Sequence, residues 1–217
     1  MAIRAILWDL YGTLLDTLGD LAASTNAALA MHAMPARTLD EIRAFVGNGV
    51  KKLIERSVPA GTPEEETGRV LSSFIDHYAR HSNDTTCPYP GVIELLDRLA
   101  ARGIRMGVVS NKIDFAVKEL SERYFGQRMH VAVGDAPSRR RKPAPDSVLE
   151  AMRLMGALPE ETVYIGDSEV DVQTAANAGL VCVAVSWGFR SREHLIAAGA
   201  QRIAATADEL ETMLNNL

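Results

Sequence analysis

The chain has 217 residues, 47% of them hydrophobic and 24% charged, which is typical of a soluble globular protein rather than a disordered or fibrous one. A formal net charge of −5 and a pI near 5.6 provide no overall positive field, so we expect neither nucleic acid nor a membrane as a partner. Cys87 and Cys182 fit no disulfide framework and no metal-ligand spacing, so we expect a cytoplasmic protein.

The first predicted element is a strand at residues 3 to 8, IRAILW, which leads into the motif DLYGT. Its apolar run breaks at Asp9 and is too short for a signal peptide or a membrane span. Residues 16 to 84 then carry helical patterns without a strand signal, which predicts an all-helical insertion. Pro and Gly in NDTTCPYPG, residues 83 to 91, mark the return from that insertion.

Four further apolar runs end in turn residues in the rest of the chain. They are IRMGVVS at 104 to 110, HVAVGD at 130 to 135, TVYIGD at 162 to 167 and LVCVAVS at 180 to 186. Segments with helical spacing lie between the later runs, and this alternation predicts an α/β fold with a doubly wound, Rossmann-like parallel sheet. We therefore predict two domains, a helical cap at 16–84 and an α/β core formed by 1–15 and 85–217.

Polar residues follow the predicted strands, at the carboxyl ends that would share one edge of a parallel sheet. They are Asp9, Tyr11, Gly12, Thr13, Ser110, Asn111, Lys142, Asp167 and Asp171. Each has an ordinary structural explanation, because Asp and Asn form turns, Ser and Asp cap helices, and Lys is a common surface residue. Together they combine a candidate nucleophile, hydroxyl and amide donors, a cation and further carboxylates, which favours a functional site.

The order of the motifs DLYGT, VVSNK, RRKPAP and GDSEVD resembles the haloacid dehalogenase superfamily over essentially the whole chain. FVGNGVKKLIERS in the helical segment and AVSWGFRS after the last motif are similar to its phosphoglycolate phosphatase branch. The resemblance implies an enzyme that hydrolyses a small phosphate monoester, such as phosphoglycolate, through an aspartyl phosphate on Asp9. The expected partner is a small-molecule phosphate ester, and the expected assembly is a monomer or homodimer.

The resemblance also implies a magnesium site. Mg²⁺ is expected on the carboxylates of Asp9 and Asp167 and on the backbone carbonyl of Tyr11, with Asp171 supporting the site directly or through water. Lys142 would stand beside Asp9 and cancel the charge left over.

The predicted substrate contacts come from two parts of the chain. Phosphoryl oxygens would be bound by Ser110, Asn111 and the backbone N–H groups of Gly12 and Thr13. Lys51 and Lys52 stand where related phosphatases place substrate-facing basic groups, although a solvated helix face explains them equally well.

Tyr11 departs from the phosphatase pattern of the superfamily, in which a second Asp stands two residues after the nucleophile. That Asp protonates the departing alkoxide and later takes a proton from water, and such help is typically worth ~10²–10⁴ in rate. A tyrosine, with a usual pKa of about 10, can donate a proton near neutrality but is a poor base. We therefore expect attenuated phosphatase activity, with dephosphorylation affected most.

The same tyrosine leaves two alternatives open. A D-x-Y-G-T motif is familiar from 2-haloacid dehalogenases, in which Asp attacks carbon and the leaving halide requires no protonation. Asp167 and Asp171 favour the phosphatase, because they retain a metal-binding pattern that a dehalogenase does not need. The other alternative is a catalytically weakened phosphate-binding or regulatory protein of the same superfamily.

Overall fold

The computed structural model describes residues 3–47 and 49–217. Its strands are β1 (Ala5–Trp8), β2 (Leu15–Asp16), β3 (Cys87–Pro88), β4 (Arg105–Ile113), β5 (Val131–Asp135), β6 (Thr162–Gly166), β7 (Val181–Val185) and β8 (Ile203–Ala204). Its helices are α1 (Leu18–Met31), α2 (Leu39–Phe45), α3 (Val50–Ser57), α4 (Glu64–His81), α5 (Val92–Ala101), α6 (Asp114–Phe125), α7 (Asp146–Met155), α8 (Glu169–Ala178), α9 (Arg192–Ala197) and α10 (Ala207–Asn215).

Six of these strands form a parallel sheet in the order β5-β4-β1-β6-β7-β8. β1 lies inside the sheet, where Leu7 is paired with Gly107 of β4 and with Tyr164 of β6. The five strands predicted from apolar runs correspond to β1, β4, β5, β6 and β7, so the predicted α/β fold is confirmed. Because the strands run in one direction, their carboxyl ends share one edge.

The continuous apolar run of β1 is explained by helices on both faces of the sheet. Ile6 and Trp8 pack into one hydrophobic cluster with side chains from α5, α6 and α10. Ala5 and Leu7 point to the opposite face, where side chains from α7 and α8 surround them. Because β1 is buried on both faces, its position in the sheet is fixed. The next residue, Asp9, therefore lies at the edge formed by the carboxyl ends of the strands.

The chain folds as two compact units, one comprising the residues up to Leu15 together with Pro88–Leu217, and the other Asp16–Cys87. The smaller unit contains α1 to α4. None of the helices within residues 3–47 and 49–217 is both long and apolar enough to cross a membrane.

A buried carboxylate in the smaller unit joins the first turn of α1 to the last residues of that unit. Asp20 of α1 is only 1% exposed. It accepts hydrogen bonds of 2.6 to 3.0 Å from the backbone N–H and hydroxyl groups of Thr85 and Thr86. These bonds tie Thr85 and Thr86 to α1, and the compact unit runs as far as Cys87. The division of the chain at residue 84 stays a prediction.

Candidate active site

A buried cluster of charged side chains lies at the carboxyl edge of the sheet. Asp9 follows β1, Asp167 follows β6, and Asp171 lies in the first turn of α8. One carboxylate oxygen from each of these residues lies within 4.8 Å of the others. Lys142, in the loop between β5 and α7, places its Nζ 2.6 Å from Asp9 Oδ1 and 2.8 Å from Asp171 Oδ1. Residues distant in sequence thus meet at the shared edge.

Tyr164, in the middle of β6, completes the surroundings of the lysine. Lys142 Nζ donates to the Tyr164 hydroxyl at 2.9 Å and to the Val109 carbonyl at 3.3 Å. The Tyr164 hydroxyl in turn donates to Asp171 Oδ1 at 3.1 Å. Tyr164 lies outside the four sequence motifs, although a tyrosine in a buried strand is itself a signal because its hydroxyl needs a partner.

Asp171 has both carboxylate oxygens engaged. Oδ1 accepts from Lys142 and Tyr164, whereas Oδ2 accepts from the Ser168 N–H at 3.2 Å and the Ser168 hydroxyl at 2.6 Å. The bonds to Ser168 belong to the capping box of α8. Asp171 therefore anchors the lysine and the start of α8 together, and its support of a metal ion, directly or through water, stays a prediction.

Asp167 is held where three backbone segments approach closely. The Phe189 N–H donates to Asp167 Oδ2 at 2.8 Å, and Thr13 Oγ1 donates to Oδ1 at 3.4 Å. A Cβ atom built on Gly12 or on Gly188 would overlap Asp167 Oδ2. Gly12 also has a φ of 85°, in the left-handed region that favours glycine. Both glycines are therefore required for the carboxylate to reach this place.

Burial and mutual repulsion shift the acid–base properties of the cluster. Burial, opposed by the charge of Lys142 and reinforced by that of Asp171, raises the pKa of Asp9 from 3.8 to about 6. Burial, with the charges of Asp171 and Asp9, raises the pKa of Asp167 well above its usual value. Burial disfavours a charged Lys142, but the charges of Asp171 and Asp9 outweigh it and raise the lysine pKa, so the amine stays protonated.

The charges in this cluster do not balance. When all are ionised, three carboxylates face one ammonium group, which leaves two negative charges uncompensated. All four side chains are buried, so water screens the repulsion only weakly. A donor set of carboxylate oxygens with excess negative charge suits a hard divalent cation.

We expect this repulsion to appear in the pH dependence of stability. The folded-state pKa of Asp9 lies above its unfolded value, so the folded state binds the proton more tightly, and the contribution of this one group to stability is lost as pH rises from 3.8 to about 6. Asp9→Asn removes this ionisation, and its unfolding temperature should fall less over that range. Thermal unfolding of both proteins in EDTA measures the difference, and parallel profiles would contradict the expectation.

The predicted phosphoryl ligands Gly12 and Ser110 differ in how their donors are used. The Gly12 N–H donates to the Leu15 carbonyl at 3.0 Å, which takes up the donor that the sequence assigned to a phosphoryl oxygen. Ser110 is buried at the end of the sheet, and its hydroxyl accepts from the Lys112 N–H at 3.3 Å. This contact uses an oxygen lone pair, so the serine keeps its hydroxyl hydrogen for another acceptor.

Asn111 makes two hydrogen bonds to the backbone of one residue. Its Nδ2 donates to the Lys142 carbonyl at 3.0 Å, and its Oδ1 accepts from the Lys142 N–H at 2.7 Å. Asn111, which the sequence predicts to contact substrate, is therefore hydrogen-bonded to the loop that carries Lys142.

Tyr11 is half-buried beside a second lysine. Lys112 Nζ lies 5.1 Å from the centre of the Tyr11 ring, within the range of a cation–π contact. Burial lowers the pKa of Lys112. A lysine ammonium thus lies over the aromatic ring of Tyr11.

Lys51 and Lys52 lie on α3 of the smaller unit. Their side chains are 70% and 53% exposed, and both pair with Glu55, at 3.9 and 2.5 Å. These contacts agree with the solvated helix face, and substrate contact by either lysine stays a prediction. Asn48, in the same sequence stretch, lies outside the described residues.

The order of the sequence motifs agrees with the protein family that the chain matches. Residues 6–185 match the haloacid dehalogenase-like hydrolases. The chain belongs to this family. Its compact α/β unit and its buried edge carboxylates are thus those of a hydrolase.

Several relatives of the chain are named as phosphatases. The chain is 36% identical to a phosphoglycolate phosphatase from Mesorhizobium japonicum, over 88% of this chain and 86% of the relative. It is 31% identical to an N-acetylmuramic acid 6-phosphate phosphatase from Pseudomonas aeruginosa, over 87% and 84% of the two chains. A crystal structure of a candidate phosphoglycolate phosphatase from Lactobacillus delbrueckii superposes with a TM-score of 0.90 at 35% identity, covering 99% of both chains. These similarities support a phosphoric monoester hydrolase.

Proposed function

We propose that the protein is a Mg²⁺-dependent phosphatase that hydrolyses a small phosphate monoester in the cytoplasm, as a monomer or homodimer. The observation that carries the proposal is the buried group of Asp9, Asp167 and Asp171, with Lys142 hydrogen-bonded to Asp9. Phosphoglycolate is the first candidate substrate because relatives bear that name. The relative named for a sugar phosphate makes a larger ester the second candidate.

The chain offers Mg²⁺ the hard oxygen ligands that it prefers. Asp9 and Asp167 would hold the ion together with the backbone carbonyl of Tyr11, and Asp171 would support the site directly or through water. When bound, the ion would offset the negative charge that the carboxylates and a phosphoryl group share.

Asp9 would be the nucleophile. One carboxylate oxygen forms a bond to phosphorus while the ester P–O bond breaks, and the bonding electron pair leaves with the substrate oxygen. Lys142 lies 2.6 Å from Asp9 Oδ1, where its charge lowers the repulsion between the carboxylate and the phosphate. The buried Ser110 hydroxyl would donate to a phosphoryl oxygen.

Hydrolysis of the aspartyl phosphate would be the slow step. Water attacks phosphorus, loses a proton and displaces the Asp9 carboxylate, so this step needs a base. The phenol of Tyr11 can protonate the departing substrate oxygen in the first step, and the phenolate that this leaves regains a proton from solvent near neutral pH. The neutral phenol then accepts a proton poorly from the attacking water. The nearby Lys112 ammonium, 5.1 Å from the ring centre, is also no base while protonated. The intermediate would therefore form faster than it is hydrolysed.

Tyr11 also favours a second candidate, a 2-haloacid dehalogenase. In that reaction the Asp9 carboxylate would attack carbon, and the halide would leave without a proton. A halide displacement at carbon does not require the charge of a metal ion, whereas the three buried carboxylates provide a site for one. We therefore rank this candidate second.

Mg²⁺ binding is the direct test of the metal proposal. We expect calorimetric titration of the unmodified protein to show Mg²⁺ binding, and Asp167→Asn to lose it, because that change removes an anionic ligand from the cluster. Asp97→Asn is the matched control, since Asp97 is an exposed carboxylate of α5 that pairs with Arg128 at 2.6 Å. No binding to the unmodified protein at millimolar Mg²⁺ would oppose the proposal.

A substrate panel separates the candidate functions. Phosphoglycolate, a sugar phosphate, an aryl phosphate, an acyl phosphate and a 2-haloacid would each be assayed with Mg²⁺ and with EDTA. A phosphatase releases phosphate only with Mg²⁺, and a dehalogenase releases halide in both conditions. A weakened phosphate-binding protein would turn over none of them.

A further inference from the structure

The loop that carries Lys142 connects the end of β5 at Asp135 to the start of α7 at Asp146. The loop places the Lys142 ammonium group at hydrogen-bond distance from Asp9 inside a buried cluster. A lysine side chain has four rotatable bonds, so a fixed ammonium needs a fixed backbone as well as partners at its tip. The tip is held by Asp9, Asp171 and Tyr164.

The backbone end of the same lysine is held by Asn111. Donation from Asn111 Nδ2 to the Lys142 carbonyl and from the Lys142 N–H to Asn111 Oδ1 forms a reciprocal pair, like the pairing between two peptide groups. Arg141 adds a third link, because its Nη2 donates to the Asn111 carbonyl at 2.8 Å. The end of β4 and the lysine loop are therefore joined at the residue whose charge faces the nucleophile.

We infer that Asn111 is a positioning residue that acts through Lys142, rather than a ligand of the phosphoryl group. The amide acts as both acceptor and donor toward the backbone of Lys142, a combination that its oxygen and nitrogen together provide. Aspartate would keep the acceptor for the Lys142 N–H but would place an anionic oxygen against the Lys142 carbonyl. One N–H of the Asn111 amide remains beyond this pair, so direct contact with substrate is the competing explanation.

The kinetic test is a double-mutant cycle, and only this part rests on the proposed phosphatase function. Asn111→Ala, Lys142→Met and the double variant are assayed with an aryl phosphate at saturating Mg²⁺. We expect Lys142→Met to lower kcat by ~10²–10³, the usual effect of losing one electrostatic partner of the reacting group. Asn111→Ala should lower kcat by about tenfold with little change in KM, and the double variant should match Lys142→Met within about twofold.

A direct contact between Asn111 and substrate gives a different result. Asn111→Ala would then raise KM, and its effect would multiply with that of Lys142→Met. That pattern would overturn the inference. The control is Asn177→Ala, because the exposed Asn177 of α8 donates one hydrogen bond, of 2.8 Å, to the Pro143 carbonyl in the same loop. We expect its kcat to stay within about threefold of the unmodified protein, as for most exposed sites.

A second measurement needs no activity. Lys142 is 7% exposed, so a lysine-specific acylating reagent should label it slowly in the unmodified protein. We expect labelling of Lys142, read by peptide mass spectrometry, to rise severalfold in Asn111→Ala but not in Asn177→Ala. Unchanged labelling would overturn the inference. If the unmodified protein turns over no substrate, the proposed function is refuted. The inference about Asn111 is not, because the labelling experiment still tests it.

Loss of the fold is a separate outcome that a second variant addresses. Asn111→Asp keeps the bond from the Lys142 N–H and loses the one to the Lys142 carbonyl. If Asn111→Ala does not fold, labelling and kinetics of Asn111→Asp decide, with an intermediate loss expected. Unchanged kcat and labelling in this variant would count against the inference.

Discussion

Asp9→Asn is expected to lower the turnover of every phosphate ester by ~10⁴ or more, because an amide cannot form the aspartyl phosphate and loses the charge that would hold the cation. Lys142 should stay near position 9, since Asp171 and Tyr164 also hold its Nζ. The loss should therefore appear in kcat for aryl and alkyl phosphates alike. Steady-state assays with Mg²⁺ across both classes measure it.

The control for Asp9→Asn is a variant that removes one carboxylate at another place in the protein. Asp97→Asn removes one carboxylate that is ion-paired with Arg128 and lies outside the cluster, and its kcat should be unchanged. Asp9→Asn should also unfold cooperatively, which shows that the site and not the fold was lost. Retention of more than about a tenth of the unmodified turnover would exclude Asp9 as the nucleophile, since such losses normally span several powers of ten.

Tyr11→Asp is expected to raise hydrolysis of alkyl phosphates by ~10²–10⁴, the usual value of a positioned acid and base. The unmodified protein should favour aryl and acyl phosphates, whose departing oxygen hardly needs a proton. It should also release a burst of product before a slow steady rate, because the aspartyl phosphate accumulates. Rapid-quench measurements with one aryl and one alkyl phosphate record the burst and the leaving-group dependence.

Tyr11→Phe distinguishes the contribution of the hydroxyl group from that of the aromatic ring. It keeps the aromatic face that Lys112 contacts but removes the only proton that the side chain can donate. We expect it to reduce alkyl phosphate turnover further and to leave acyl phosphate turnover unchanged. Brisk alkyl phosphate turnover by the unmodified protein, with no gain in Tyr11→Asp, would mean that another group supplies the proton.

The fold was largely predictable because β1, β4 and β6 lie inside the sheet and are buried on both faces. Such strands consist of continuous runs of apolar residues, which are easily recognised in a sequence. β2, β3 and β8 were missed because each has two residues, too few to show a period. The hydrogen bonds from Thr85 and Thr86 to Asp20 were not predictable, because they join residues more than sixty positions apart in sequence.

The site was predictable as far as topology determines it. Asp9, Asp167 and Lys142 come together because their loops leave the same sheet edge. Which donor meets which acceptor was not predictable, because those pairings depend on side-chain geometry across loops. Asn111 therefore contacts the Lys142 backbone, and the Gly12 N–H contacts Leu15, although a motif would assign both to substrate.

The buried Asp20 carboxylate limits how the protein can be divided for study. A fragment that stops at residue 84 would keep this charge in the first turn of α1 but would delete Thr85 and Thr86, which supply its hydrogen bonds. Leaving a buried charged acceptor without donors costs about 1–3 kcal/mol or more, a large share of the stability of a small helical domain. A fragment ending at Cys87 keeps the donors, so expression trials of the isolated helical unit belong at that end point.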